Sequence, residues 1–200
     1  MARPNEIYDR YLTRAIAEIN ELTDEVLRCR RCAHAGTMPV IGSGHPLADI
    51  FLLKYQARPS ECHEGVAFFG RSGTALMKSC QRLKIDPLQL YGSNVVKCGD
   101  VRDPEAEARC LDHLRRELAI VEPKIIVVMG ETTVAALNSA QVPLSRELGY
   151  AVGEISEFTP GIEALITPDI DASLDEERSK AGFWRAFRRL GEWYDSIPPY

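Results

Sequence analysis

Six cysteines, Cys29, Cys32, Cys62, Cys80, Cys98 and Cys110, stand in a chain of 200 residues. Cys29-Arg30-Arg31-Cys32 has the spacing that lets two sulfurs converge on one metal; two incidental thiols are the plainer alternative. The N-terminus, Met1-Ala2-Arg3-Pro4-Asn5-Glu6, lacks the apolar core of a signal peptide. A reducing cytoplasm is therefore expected, where thiols bind metals more often than they pair. A second candidate is Gly70-Arg71-Ser72-Gly73, which opens a helix. Backbone N–H groups at such a start can face a phosphate, and Arg71 adds charge; an unliganded glycine-rich helix start is the alternative.

These residues must be positioned by the elements around them. Residues 5–27 read as an amphipathic helix, with Tyr8, Tyr11, Leu12, Ala15, Ile16, Ile19, Leu22 and Val26 at helical spacing. It delivers the chain to the CxxC pair. Strands are expected at Ile50–Leu53, Asn94–Val96 and Ile125–Met129, the last apolar throughout, as suits a strand covered on both faces. Helices are expected from Gly70 to about Leu83, from Pro104 to Val121, and over 131–139. The inner face of the second is Leu111, Leu114, Leu118 and Val121, which leaves His113 facing solvent. Residues 150–158 and 162–166 read as a hairpin or successive strands. Ser173-Leu174-Asp175-Glu176 reads as a capping box for a last helix with the stripe Phe183, Trp184, Phe187, Leu190 and Tyr194. His34 and His45 read as loop and turn residues, and Cys80 as a core thiol.

Strands alternating with helices imply an α/β fold: one domain over residues 1–200, three layers, and a central, mainly parallel four-stranded sheet. Its ligand site is expected beyond the carboxyl ends of the strands. Those ends carry Lys54-Tyr55, Lys97-Cys98, Gly130-Glu131 and Thr167-Pro168. Composition narrows the function. The formal net charge is −5, so nucleic-acid binding must rest on a local surface and not on general attraction. Lys54, Arg58, Arg71 and Lys97 are candidates for one basic rim. No apolar run is long enough to span a membrane.

In order along the chain come Cys29-Arg-Arg-Cys32, Gly42-Ser-Gly-His-Pro46, Phe68-Phe-Gly-Arg-Ser-Gly73, Asn94-Val-Val-Lys-Cys98, Arg102-Asp-Pro104, Cys110, Pro123-Lys-Ile-Ile-Val-Val-Met-Gly130 and Thr167-Pro168. From about residue 29 to 195 this ordered set resembles the iron–sulfur (family 4) uracil-DNA glycosylases. The resemblance implies a uracil-DNA glycosylase-like fold and a 4Fe–4S cluster held by Cys29, Cys32, Cys98 and Cys110. Spacing alone does not separate such a cluster from zinc. It also implies that Phe68 stacks on an extruded base and Asn94 reads its edge, where an amide offers both a donor and an acceptor. Gly70, Arg71, Ser72 and Gly73 become the phosphate-binding segment, and DNA or a nucleobase the partner.

The catalytic positions depart from that family. Its acidic motif falls on Lys54-Tyr55-Gln56-Ala57-Arg58, with Tyr55 at the carboxylate, and its histidine before proline is Thr167. Loss of one preorganised group commonly costs about 10²–10³ in rate, so ordinary uracil excision is expected to be weakened or lost. Tyr55 is expected to point into the base pocket beside Phe68 and partly fill it. Glu61, His63, Glu64 and Asp169 are candidate replacements, each weighed below a plain surface role. The segment 169–177 carries five carboxylates in nine residues, a surface that repels phosphate and suits a protein partner. Three functions stay open: a binding protein with lapsed catalysis, an active DNA N-glycosylase of altered specificity, and a non-catalytic or redox-sensing scaffold.

Overall fold

The computed structural model describes residues 4–32, 38–99 and 105–197. His34 and Arg102-Asp103-Pro104 lie outside them. The central sheet follows from three apolar runs. Strands β2 (Ile50–Gln56), β3 (Leu90–Val96), β4 (Ile125–Met129) and β6 (Ile162–Thr167) pair in parallel in the order β3-β2-β4-β6. Two antiparallel edge strands complete it, β1 (Ser43–Gly44) beside β3 and β5 (Ile155–Thr159) beside β6. The expected four-stranded sheet is therefore the parallel centre of a six-stranded one. Its edges are short (β1) or irregular (β5), which blunts them against pairing with another chain.

Helices cover both faces. On one lie α4 (Ala106–Val121) and α5 (Glu131–Ser139), with α1 (Pro4–Arg28) packed against α4. On the other lie α3 (Arg71–Arg82) and α7 (Glu177–Ser196), with α6 (Ile170–Asp175) touching both. Strand alternation divides the core accordingly. Phe51, Leu53, Val95, Ile126 and Val128 face α4 and α5; Ile50, Leu52, Leu90, Val127 and Leu165 face α3 and α7. Ala15, Leu22 and Val26 of α1 are buried, whereas Tyr8, Tyr11 and Ile16 of the expected stripe are exposed.

Three expectations give way. His113 does not face solvent: it is 3% exposed. Helix α4 lies between the sheet and α1, and Cys110 and His113 are buried beside its apolar stripe. The capping box at Ser173 does not form. A short helix, α6, begins earlier, and the Ser173 hydroxyl donates back to the Asp169 carbonyl at 2.5 Å; α7 starts only at Glu177. Helix α2 (Pro59–Glu64), expected as loop, is set by Pro59 in its first turn.

Lys97, expected on an exposed rim, is also buried. Its ammonium donates to the Glu117 carboxylate and to Ser93 Oγ, and Ser93 donates to the same carboxylate at 2.8 Å. Tyr91 adds a long bond from its hydroxyl at 3.4 Å. This network ties β3 to α4 just before Cys98. Glu117→Gln keeps the shape and removes the charge that balances Lys97, so urea denaturation should show a loss of about 1–3 kcal/mol.

Candidate base pocket and cysteine centre

The carboxyl end of β2 carries Lys54 and Tyr55 to opposite faces of the sheet. Tyr55 packs with the α4 side, where burial, and then the nearby Glu107 carboxylate, push its pKa up. Phe68 packs with the α3 side. The expectation that Tyr55 fills the space beside Phe68 is thus overturned by strand alternation: the odd positions of β2 point away from it.

Lys54 takes that space instead. Its side chain is 1% exposed, and Nζ lies 5.3 Å from the centroid of the Phe68 ring, a cation–π distance. The ammonium donates to Glu61 at 2.6 Å and to Asp171 at 2.9 Å. Glu61, weighed above as a surface residue, is wholly buried. Besides Lys54 it accepts the backbone N–H of Arg58 at 2.6 Å and that of Phe68. Phe68 has φ of 60°, a conformation that costs a bulky residue free energy. The carboxylate on its N–H holds it there. Opposite the ring is Gly92, where a Cβ would come within 2.7 Å of Phe68 Cδ2; only glycine lets the ring lie against β3.

Asn94 lies two residues beyond Gly92 on the same face of β3 and pairs in register with Lys54. It is fully buried, and neither its amide nitrogen nor its amide oxygen has a partner among the described residues. Such a group is costly unless a ligand or water completes it. Phe68, Lys54 and Asn94 therefore form one cluster: a ring face, a cation over it and an unanswered donor–acceptor pair beside it. Thr167 is buried at the end of β6, with its hydroxyl on the Pro168 carbonyl.

A broad cleft opens beyond these strand ends, lined among others by Gln56, Arg58, His63, Glu131, Asp169 and Asp171. The acidic segment is largely engaged within the chain. Asp169 caps α6 by accepting the Ala172 N–H at 2.8 Å, Asp171 holds Lys54, and Asp175 pairs with Arg71 at 3.0 Å. Of the four cations expected on one rim, Lys54 and Lys97 are buried, so that rim is not assembled. At the start of α3, Gly70 is the N-cap, Ser72 is buried, and a Cβ on Gly73 would strike the Phe68 carbonyl. His63 and Glu64 are the exposed residues expected, bonded to each other at 3.1 Å.

On the opposite side of β3, Cys29, Cys32, Cys98 and Cys110 line one small enclosed cavity. Cys98 is pushed up to about 12, first by burial and then by Cys110, Cys32 and Cys29, whose negative forms would repel its own. Four cysteine sulfurs lining one cavity are a donor set that a metal centre takes up as thiolates. Among the described residues no three His, Cys, Asp or Glu converge as a single-ion site. A lone tetrahedral zinc needs sulfurs about 2.3 Å from one centre, whereas a polynuclear cluster gives each thiolate its own iron. Four cysteine sulfurs are a ligand set of a 4Fe–4S cluster and equally of a structural zinc. Cys62 sits close to Gly99, where a Cβ would meet its Sγ. Cys80 is the core thiol expected, pushed up to about 11 by burial.

Sequence comparison sets these sites beside known proteins. The family model described as "Uracil DNA glycosylase superfamily" matches residues 42–188, a span that includes Lys54, Phe68, Asn94, Cys98 and Cys110. The chain is 33% identical to a protein named type-4 uracil-DNA glycosylase from Sulfurisphaera tokodaii, over 56% of this chain and 54% of that protein. It thus spans about half the length of that relative. A protein of the same name from Archaeoglobus fulgidus is 29% identical over 87% of this chain and 92% of its own. For that from Thermotoga maritima the identity is 30%, over 68% and 74%. Among the described residues no helix is long and apolar enough to cross a membrane.

Proposed function

The chain belongs to the uracil-DNA glycosylase superfamily, and from that premise we propose that it is a DNA- or nucleobase-binding member, carrying a 4Fe–4S cluster, in which ordinary uracil excision is weakened or lost. One observation carries the reading. The face of Phe68, on which an extruded base would stack, is covered by the ammonium of Lys54, tethered to Glu61 and Asp171. A flipped nucleotide must displace a buried ion pair before it can enter, a cost that adds to unstacking it from DNA.

The chain's own residues have divided roles in this reading. Glu61 orients Phe68 through its backbone N–H, and Asn94 keeps a donor and an acceptor for a base edge. Cys29, Cys32, Cys98 and Cys110 hold the cluster, which supplies a rigid joint between α1 and the end of β3. Gly70, Arg71, Ser72 and Gly73 retain the phosphate role, with Arg71 exchanging Asp175 for phosphate. Tyr55 lines the cleft from the α4 side and the Thr167 hydroxyl is on the Pro168 carbonyl, so no carboxylate or imidazole takes the family's two catalytic positions.

The test offers single- and double-stranded oligonucleotides carrying uracil, with hypoxanthine and other deaminated bases beside it, and follows both cleavage and binding. The expected result is binding without uracil release, with a shallow dependence on salt because the cleft assembles few cations. Efficient uracil release overturns the reading. The unanswered amide of Asn94 favours one alternative, an active N-glycosylase that opens for another base; release of a base other than uracil identifies it.

A further inference from the structure

His113 lies one helical turn beyond Cys110 on α4. It is 3% exposed, and neither Nδ1 nor Nε2 has a hydrogen-bond partner among the described residues. Its ring lines the same enclosed cavity as Cys29, Cys32, Cys98 and Cys110. An imidazole always carries at least one N–H donor, and a buried donor without an acceptor is destabilising. Nothing in the network of Lys97, Ser93 and Glu117 nearby answers it. The acceptors that belong in that cavity are sulfurs.

Resting on the cluster reading above, we propose that His113 donates an N–H hydrogen bond to a sulfur of the iron–sulfur centre, either a cysteine thiolate or an inorganic sulfide. The bond withdraws electron density from that sulfur. Because reduction adds negative charge, the reduced state gains more from the bond than the oxidised one, and the reduction potential rises. His113 is a positioning and tuning residue, and it is not a ligand: the four thiolates complete the set without it. Arg31 and Lys97 are positive charges of the same neighbourhood, and they stay constant in a comparison confined to position 113.

The experiment uses the full chain purified without oxygen, with iron and sulfide measured first. The cluster is titrated with dithionite and followed by electron paramagnetic resonance in the parent chain, in His113→Leu and in His113→Gln. The expected result is a lower potential in His113→Leu, with partial return in His113→Gln, whose amide keeps an N–H. Protein labelled with ¹⁵N-histidine should show a nitrogen coupling to the reduced cluster in the parent chain that disappears in His113→Leu. Equal potentials at full iron content overturn the proposal and leave the cluster reading intact. So does a parent chain with no histidine nitrogen coupling, a result that needs no variant. Protein purified without iron and sulfide overturns both together.

Discussion

Lys54→Gly is expected to bind a uracil-containing oligonucleotide roughly 5- to 150-fold more tightly than the parent chain. The Lys54 side chain is what covers the Phe68 ring. Removing it frees the ring face that the ammonium occupies, on the same face of the sheet as the unanswered amide of Asn94. Base–aromatic stacking alone is worth about 1–3 kcal/mol, the range that this affinity ratio expresses. Excision is not expected to return with binding, because position 55 points to the opposite face of the sheet and Thr167 bears no imidazole. Lys54→Met is the control: it removes the charge but keeps the volume, so the gain should be absent. Fluorescence anisotropy with a uracil oligonucleotide, against the same sequence carrying thymine, checks both. A folded Lys54→Gly that binds no better than the parent would falsify the closed-pocket reading.

Glu61→Leu carries the largest expected loss of stability. The carboxylate is wholly buried and balances Lys54, so its removal leaves a buried ammonium with only the partly exposed Asp171. Breaking one side of such a pair costs about 3–5 kcal/mol. For a domain of this length that corresponds to a fall in Tm of roughly 6–20 °C. The double variant Lys54→Met with Glu61→Leu should recover much of it, since two apolar residues replace two charges. Recovery should stop short of the parent, because the N–H groups of Arg58 and Phe68 lose their acceptor. Calorimetry on the two single variants and the double variant measures the coupling between Lys54 and Glu61. A Glu61→Leu Tm within about 2 °C of the parent would show that the carboxylate is replaceable.

Much of the fold could be read from residue order because its signals are local. Apolar runs such as Ile125–Met129 declare strands buried on both faces, and helix 131–139 appears with the bounds its periodicity predicts. The ordered motifs likewise placed the chain in its superfamily, and the four cysteines chosen by motif line one cavity. What stayed hidden depends on which side of a layer a residue faces. Lys54 and Tyr55 are neighbours in sequence, yet strand alternation sends one into the pocket and the other to α4, and counting along a motif does not say which.

Glu61 and His113 were misread as surface groups for a related reason. A polar side chain is placed outside by default, and burial becomes tolerable only when partners distant in sequence arrive: Lys54 and the Phe68 backbone for Glu61, α1 and the cysteine cavity for His113. Asp169 and Asp171, unexplained as charges on a chain, become a helix cap and a counter-ion once α6 is folded against the sheet. Sequence determined the scaffold and the sulfur set, because each is encoded by residue type at short range. Only tertiary structure decided that an ion-paired Lys54 lies over the Phe68 ring, because a buried charge has no meaning until its partners are in place.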